Sequence, residues 1–492
     1  MSPYLIIAVT AGWLALLFAV AWVSGRRTDN QGFFVGNRRS PWFVVALGMI
    51  AAPMSGVTFV SVPGMVGASG FAYLQMAMGF VCGYMVIAFV LMPLLYRQRI
   101  VSVYEYLERR FGMGSYRTGA WFFFVSKLLG AAVRIYLVCV VLQMLVFDPL
   151  GVPFAVNAGV MMFLVWLYTF RGGVRSIVWT EALKTLCLLA SVGLSIWFIA
   201  RAMGLDFGGM VSAVRESELS RIFFLDDLRD RRYFFKQFFS GLFIVVAMTG
   251  LDQDMMQLPL SCRSPRDSQK NFVVSGAMQF VVIAMFLCLG VLLNLYAAGL
   301  SESVTNVTVP TGDGLFPFVA TGAGLPAVVG VMFALGLIAS TYSAAGSALT
   351  ALTTSFTVDI LGAGRQEEGR LRRTRGVVHI CMAMAMALVV MAFRVVGSTS
   401  VIDAVYVLAS YTYGPILGMF AFGMITRRSV RDRWVPAVAV VAPALCLVLD
   451  LNSAAWFGGY RFGYEILMLN ALFTFGGLAA LTVSKKSENV AK

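Results

Sequence analysis

Four ionisable side chains, Lys127, Arg134, Glu181 and Lys184, fall inside stretches of sequence that are otherwise long and apolar. A charge is costly to hold in hydrocarbon, so each must face a partner or a wet cavity, and each is a functional candidate for that reason. Arg134 carries a planar, permanently charged fork that matches a carboxylate. Lys127, seven residues earlier, lies on the same helix face two turns away. Glu181 and Lys184, three apart, are helix neighbours able to neutralise each other. The competing reading of Arg134 is a structural pair with Glu181 or Asp252. A hydroxyl run, Ser340-Thr341-Tyr342-Ser343-Ala344-Ala345-Gly346-Ser347, places Ser340, Ser343 and Ser347 on one stripe at three- and four-residue spacing. Such oxygens suit a hard cation. Small residues of this kind also serve simple helix packing.

Two apolar segments must break where these groups sit, at Ala51-Ala52-Pro53-Met54-Ser55-Gly56 and at Ala247-Met248-Thr249-Gly250-Leu251-Asp252. Unwound backbone inside a bilayer survives only where it lines a cavity or holds a polar ligand. Interrupted helices at equivalent places in two halves of a chain point to a secondary transporter with inverted repeats and a midplane site.

The elements that would position these residues follow from composition. Of 492 residues 59% are hydrophobic and only 13% charged, and mean hydropathy is +0.82, which places the chain in a bilayer. Hydropathy and length predict an all-α polytopic protein of about thirteen transmembrane helices. The 1–492 chain reads as a single transmembrane domain: a leading helix at 3–24, a five-helix repeat at 42–201, a second at 236–426, and two trailing helices at 434–484. Five is odd, so the second repeat enters from the opposite side and the two discontinuous first helices meet.

The first segment lacks a basic start and is followed by Arg26-Arg27, so it reads as a retained helix rather than a cleaved signal. With the N-terminus outside, 26 of the 38 Lys and Arg fall on the cytoplasmic side, nine outside, and the C-terminus is cytoplasmic. The location expected is the cell membrane. The net charge of +14 then reflects this bias and contact with anionic lipid, not nucleic acid. Asn306-Val307-Thr308, in an outside segment, is expected to carry no glycan. Seven cysteines, one of them Cys262 in a short loop, read as small core residues, and His379 as a packed helical histidine. No nucleophile with its base and no metal cluster is visible, so an enzyme, like a membrane sensor, is the weaker class, and no cofactor is implied.

At this point the residues resemble a known family. Ile50-Ala51-Ala52 with Ser55 and Phe59, the Ser102 to Gly112 loop, Gly172-Gly173 with Val178-Trp179-Thr180, Gly250-Leu251-Asp252-Gln253 through Gln257, Phe356-Thr357-Val358-Asp359 and Gly414-Pro415-Ile416-Leu417-Gly418 are similar to the sodium:solute symporters, which have the leucine-transporter-type fold, and in particular to their bacterial sialic-acid and sugar members. The resemblance implies a sodium site built from the carbonyls of Ala51, Met54 and Ser340 with the hydroxyl of Ser343; a second hydroxyl falls on Ala344 and is missing. It implies a further sodium site at Glu181, normally Asp, with Ser343 and Ser347, where another ligand falls on Gly346.

Lys184 stands where the family usually has a neutral Gln, and in related transporters of this fold a Lys or Arg sometimes takes the sodium ion's place. Solute contacts map to Ser55, Thr58, Gln75, Arg134, Asp252 and Gln253, with Arg134 resembling the Arg that holds the substrate carboxylate in sialic-acid carriers. The expectation is a carrier, functional as a monomer, that couples sodium to uptake of a small polar solute, first an acidic sugar such as sialic acid or another organic anion, then a neutral sugar or polyol. The alternative is a sodium-independent facilitator or exchanger with Lys184 as the ion surrogate.

Overall fold

A computed structural model of the chain describes residues 2–25, 42–98, 103–169, 174–260, 262, 264–303, 309–322, 324–363, 367–396 and 400–483. Of the features named above, Arg26, Arg27, Ser102, Gly172, Gly173 and Asn306 to Thr308 lie outside the described residues, as do the side chains of Ala51, Val178, Trp179 and Gln257. Peptide groups in hydrocarbon find partners only within their own helix, and the chain is helical nearly throughout. In order the helices are α1 (Pro3–Gly25), α2 (Trp42–Ala51), α3 (Gly56–Ser69), α4 (Ala72–Val86), α5 (Met92–Gln98), α6 (Glu105–Arg110), α7 (Met113–Leu142), α8 (Phe154–Thr169), α9 (Val174–Ala202), α10 (Phe207–Glu216), α11 (Phe234–Val245), α12 (Gln253–Leu260), α13 (Pro265–Ser303), α14 (Leu315–Gly322), α15 (Ala327–Ser355), α16 (Glu368–Val396), α17 (Val401–Ile425), α18 (Val435–Trp456) and α19 (Ile466–Ala480). Among the described residues a short antiparallel ladder pairs β1 (Ser429–Val430) with β2 (Thr482–Val483), Ser429 opposite Val483.

Among the described residues nine helical stretches are long and apolar enough to cross a bilayer, and four shorter apolar ones are Gly56–Ser69, Phe154–Thr169, Phe234–Gly250 and Ile466–Ala480. They follow the order of the segments read from hydropathy. Two of the short ones are short because a break cuts them. In the first, α2 stops at Ala51, residues 52–55 are non-helical, and α3 restarts at Gly56. Pro53 cannot donate a backbone bond and pushes its predecessor out of helical geometry. Ser55 is extended (φ −108°, ψ −178°), and its Oγ accepts from Val57 N at 3.3 Å, capping the new helix. The second break has no proline. There α11 loosens into a π-turn at Val246–Gly250, a distortion common at functional sites, and Leu251 and Asp252 leave the helix. Asp252 then caps α12, its Oδ1 accepting from Asp254 N at 2.8 Å and Met255 N at 3.2 Å.

Helix α4, which follows the restarted α3, is clamped to α11, which leads into the second break. A Cβ on Gly79 of α4 would lie 2.0 Å from the Phe238 carbonyl oxygen, and one on Gly241 of α11 would lie 2.1 Å from that of Met76. Only glycine permits backbones this close. His379 is 7% exposed and bonded on both ring nitrogens, to Thr169 Oγ1 at 3.0 Å and Thr353 Oγ1 at 2.9 Å, so it is a packed, satisfied histidine.

At the end of the bundle that holds α6, the long cavity-lining helix α7 is capped by a residue far along the chain. Asp432 accepts from Gly114 N at 2.6 Å, Ser115 N at 2.8 Å and Ser115 Oγ at 2.6 Å. Arg110 meanwhile donates to the terminal carbonyls of α17, reaching Thr426 O at 2.8 Å and Gly423 O at 3.2 Å. Losing such a cap costs about 0.5–2 kcal/mol. Asp432→Ala is therefore expected to lower the thermal unfolding midpoint, with Asp432→Asn in between; a midpoint unchanged in Asp432→Ala would show that the cap bears no load.

Candidate functional site

The two breaks face one cavity. Its walls include Ala52 to Ser55 and Thr58 from the first break, Met248, Thr249, Asp252 and Asp254 from the second, Lys127 and Arg134 from α7, and Thr341, Ala344 and Ser347 from α15. A Cβ on Gly56 would come within 2.5 Å of Thr341 Oγ1, so the restart of α3 rests directly on the hydroxyl run of α15. Over the side nearer the 203–233 segment, Tyr73 OH and Tyr406 OH meet at 2.6 Å and bridge α4 to α17. Both tyrosines line the cavity.

At the opposite end lies a buried ionic cluster. Lys127 Nζ is 3.1 Å from Asp252 Oδ2 and 2.8 Å from Asp254 Oδ2, and Tyr413 OH donates to Asp252 Oδ2 at 2.7 Å. Gln253, between the two acids, accepts from Val103 N at 2.8 Å, and Tyr104 OH donates to the Leu251 carbonyl at 2.9 Å. The loop before α6 is thus tied to the second break. Lys127, two turns from Arg134, reaches the same cavity by helical register, as the spacing implied.

Arg134 lines the cavity with no ion pair or hydrogen bond to any group among the described residues. The acids that competed for it are taken: Asp252 by Lys127, Tyr413 and two amides, Glu181 by Lys184 and Ser343. A guanidinium left unpaired against a polar cavity is a ready seat for an anion.

A second cluster sits between α9, α2 and α15. Lys184, 0% exposed, holds Glu181 Oε2 at 2.9 Å, and Ser343 Oγ donates to Glu181 Oε1. Next to it, Thr185 Oγ1 donates to the Leu47 carbonyl at 2.7 Å, one turn before the first break. Ser340 Oγ is spent on the Leu337 carbonyl at 3.0 Å, and Ser347 Oγ on that of Ala344 at 3.2 Å. The ammonium thus already occupies the carboxylate in this cluster, while Met54, Ser55, Thr341 and Ser347 face the cavity.

Two expected solute contacts are placed elsewhere. Gln75 is fully buried, donating to the Arg232 carbonyl at 2.9 Å and accepting from Phe224 N at 3.3 Å, so it pins the 203–233 segment to α4. Gln253 serves Val103 as above, and neither glutamine is in the cavity wall. In both cases a loop amide or carbonyl, which must find a partner once buried, has claimed the side chain. Conversely, Asp254, Tyr73, Tyr406 and Tyr413 line the cavity without having been singled out. For Asp254 a signal existed: an ionisable residue inside an apolar span.

Comparison with known proteins agrees with this architecture. The description "Sodium:solute symporter family" matches residues 33–432. The human sodium/iodide cotransporter is 23% identical over 434 residues, covering 84% of this chain and 65% of its own length, so the chain spans just under two thirds of that relative. The sodium/sialic acid symporter NanT of Aliivibrio fischeri is 24% identical over 475 residues, covering 93% of this chain and 89% of its own. A solved substrate-bound, outward-open state of a Na+-coupled sialic acid symporter superposes with a TM-score of 0.78 at 19% identity and 97% coverage of both chains. The transporter Mhp1, in a closed form, superposes with a TM-score of 0.53 at 12% identity, covering 92% of this chain and 95% of that one. At these identities the superpositions establish the shared fold of α-helices, while the family match extends over most of the sequence. The chain belongs to the sodium:solute symporter family and is a multi-pass membrane protein.

Proposed function

We propose that the protein imports a small organic anion, with an acidic sugar such as sialic acid as the first expectation, by sodium-coupled alternating access. The observation that carries this reading is the unpaired guanidinium of Arg134 in a cavity walled by both helix breaks. Ser55, Thr58 and Asp252, also in the wall, would complete the solute contacts, and a solute lacking the matching groups would leave them unpaired. The relatives that share the fold include sialic-acid symporters. In this reading the two halves, 42–201 and 236–426, are inverted repeats whose discontinuous helices rock about the site. Sodium would be held by the carbonyls of Ala51, Met54 and Ser340 with Ser343, beside Glu181 and Ser347.

A second reading rests on Lys184. Its fully buried ammonium sits on Glu181, which also engages Ser343, so a fixed cation stands beside the ligands expected for sodium. A fixed positive charge repels an incoming one, most strongly where water is excluded. This favours a sodium-independent facilitator or exchanger of the same fold.

Uptake into proteoliposomes separates the readings. Under the first, labelled N-acetylneuraminate accumulates with an inward sodium gradient and ceases to accumulate when choline replaces sodium. Uptake indifferent to that replacement selects the second. A thermal-shift panel in which only neutral sugars stabilise the protein would remove the anion assignment from both.

A further inference from the structure

The cavity's charges balance only while Arg134 is free. Lys127 and Arg134 contribute two positive charges, Asp252 and Asp254 two negative ones, and Glu181 with Lys184 cancel. If an anion docks on Arg134 with no sodium ion beside it, as in the second of the readings above, on which this inference rests, the cavity is left with one negative charge too many. An uncompensated charge in such a place is expensive, and the least costly remedy is a proton on the weakest-held carboxylate.

The two aspartates are not equally held. Asp252 accepts from Asp254 N, Met255 N and Tyr413 OH and is within 3.1 Å of Lys127 Nζ, so its negative charge is supported from four directions. Asp254 touches Lys127 Nζ at 2.8 Å, yet at an angle that leaves Oδ2, a buried atom, without a hydrogen-bond donor. Its side chain is 10% exposed and lines the cavity.

Among the described residues the elements packed around Asp254 supply, besides Lys127, no buried cation that is unpaired. Helix α12 packs on α2, α9, α13 and α15. Neither α2 nor α15 carries an Asp, Glu, Lys, Arg or His. From α9 comes Glu181, an acid already neutralised by Lys184. The Arg266, Asp267 and Lys270 of α13 sit in its first turns, with Arg266 and Lys270 exposed. Lys127 of α7 and Tyr413 of α17 complete the set.

We propose that Asp254 takes up one proton when an anion docks on Arg134, so that the carrier loads an anion and a proton together. The step is a protonation alone: the Asp254 carboxylate gains H+ from water in the cavity and becomes a neutral acid, while Lys127 stays paired with Asp252. No bond of the solute changes. The sign follows from linkage: the loaded state binds one more proton than the empty one, so anion affinity weakens by about tenfold per pH unit as pH rises above the range in which empty Asp254 is protonated.

Two measurements on the full-length protein test this. Arg134→Gln removes the same positive charge that a docked anion would neutralise, so without any ligand it should leave Asp254 protonated near neutral pH. Infrared difference spectra should then show one protonated-carboxyl stretch that is absent from the wild type and from Arg134→Gln/Asp254→Asn. No such band, or a band that persists in the double variant, overturns the proposal. In calorimetry with N-acetylneuraminate, run in phosphate and in Tris, the wild type should take up about one proton per anion bound, and Asp254→Asn should bind with none. Binding without proton uptake, or uptake unchanged in Asp254→Asn, overturns the proton step and leaves the anion site standing. If no anion binds the wild type, the Arg134 reading fails instead, and the infrared result still decides for Asp254.

Discussion

Arg134→Ala is expected to abolish measurable binding of an anionic solute while leaving the protein as stable as the wild type. Truncating one member of a desolvated, hydrogen-bonded charge pair costs about 2–5 kcal/mol, or roughly thirtyfold to a few thousandfold in affinity. Stability is largely spared because no carboxylate among the described residues is paired with this guanidinium, and a proton on Asp254 offsets the charge it leaves behind. Lys127→Ala makes the contrast, since it strands Asp252 and Asp254 together and should cost about 3–5 kcal/mol of stability. Arg134→Lys keeps the charge but loses the fork, so it should retain only part of the affinity. Thermal shift and equilibrium binding of N-acetylneuraminate measure both effects. Affinity unchanged in both Arg134 variants would take the residue out of the site. A large drop in stability would return it to a structural role.

Lys184→Met should have the other large effect, and a different one. Removing the ammonium leaves Glu181 buried and without its counter-charge, a loss of about 3–5 kcal/mol. If Lys184 stands in for an ion, sodium should restore that stability, where choline does not, because Glu181, Ser343 and the nearby carbonyls offer oxygens that a small hard cation can coordinate and a quaternary ammonium cannot. The variant would then show sodium-dependent thermal stabilisation and uptake that the wild type lacks. Should the single variant fail to fold, Lys184→Met/Glu181→Gln removes both charges and is expected to recover most of the stability. A wild type that already requires sodium, with the same requirement in Lys184→Met, would show that the ion binds without reference to this lysine.

The spans, their order and the two interruptions were legible in the sequence because they rest on local chemistry. Hydropathy over one helix length, a proline at 53 and a polar Asp at 252 act on their own neighbours, and the breaks appear at residues 52–55 and 251–252. The Glu181 to Lys184 pair was legible for the same reason: three residues along a helix is a fixed distance. The seven-residue step from Lys127 to Arg134 likewise put both on one face.

The partners of those charges were not legible. Lys127 and Asp252 are 125 positions apart, and nothing local distinguishes the lysine that finds two aspartates from the arginine, two turns along, that finds none. Gln75 and Gln253 read as solute contacts because their spans were right, yet each turns to a loop whose backbone needs a partner, 157 and 150 positions away respectively. By itself the sequence determined a bilayer-spanning helical chain with two unwound stretches and a few costly charges, since burial in hydrocarbon constrains each residue one at a time. Only the tertiary structure decided which charges cancel and which one, among the described residues, stays unpaired in the cavity, because pairing depends on distances between helices that the order of residues along any one helix does not contain.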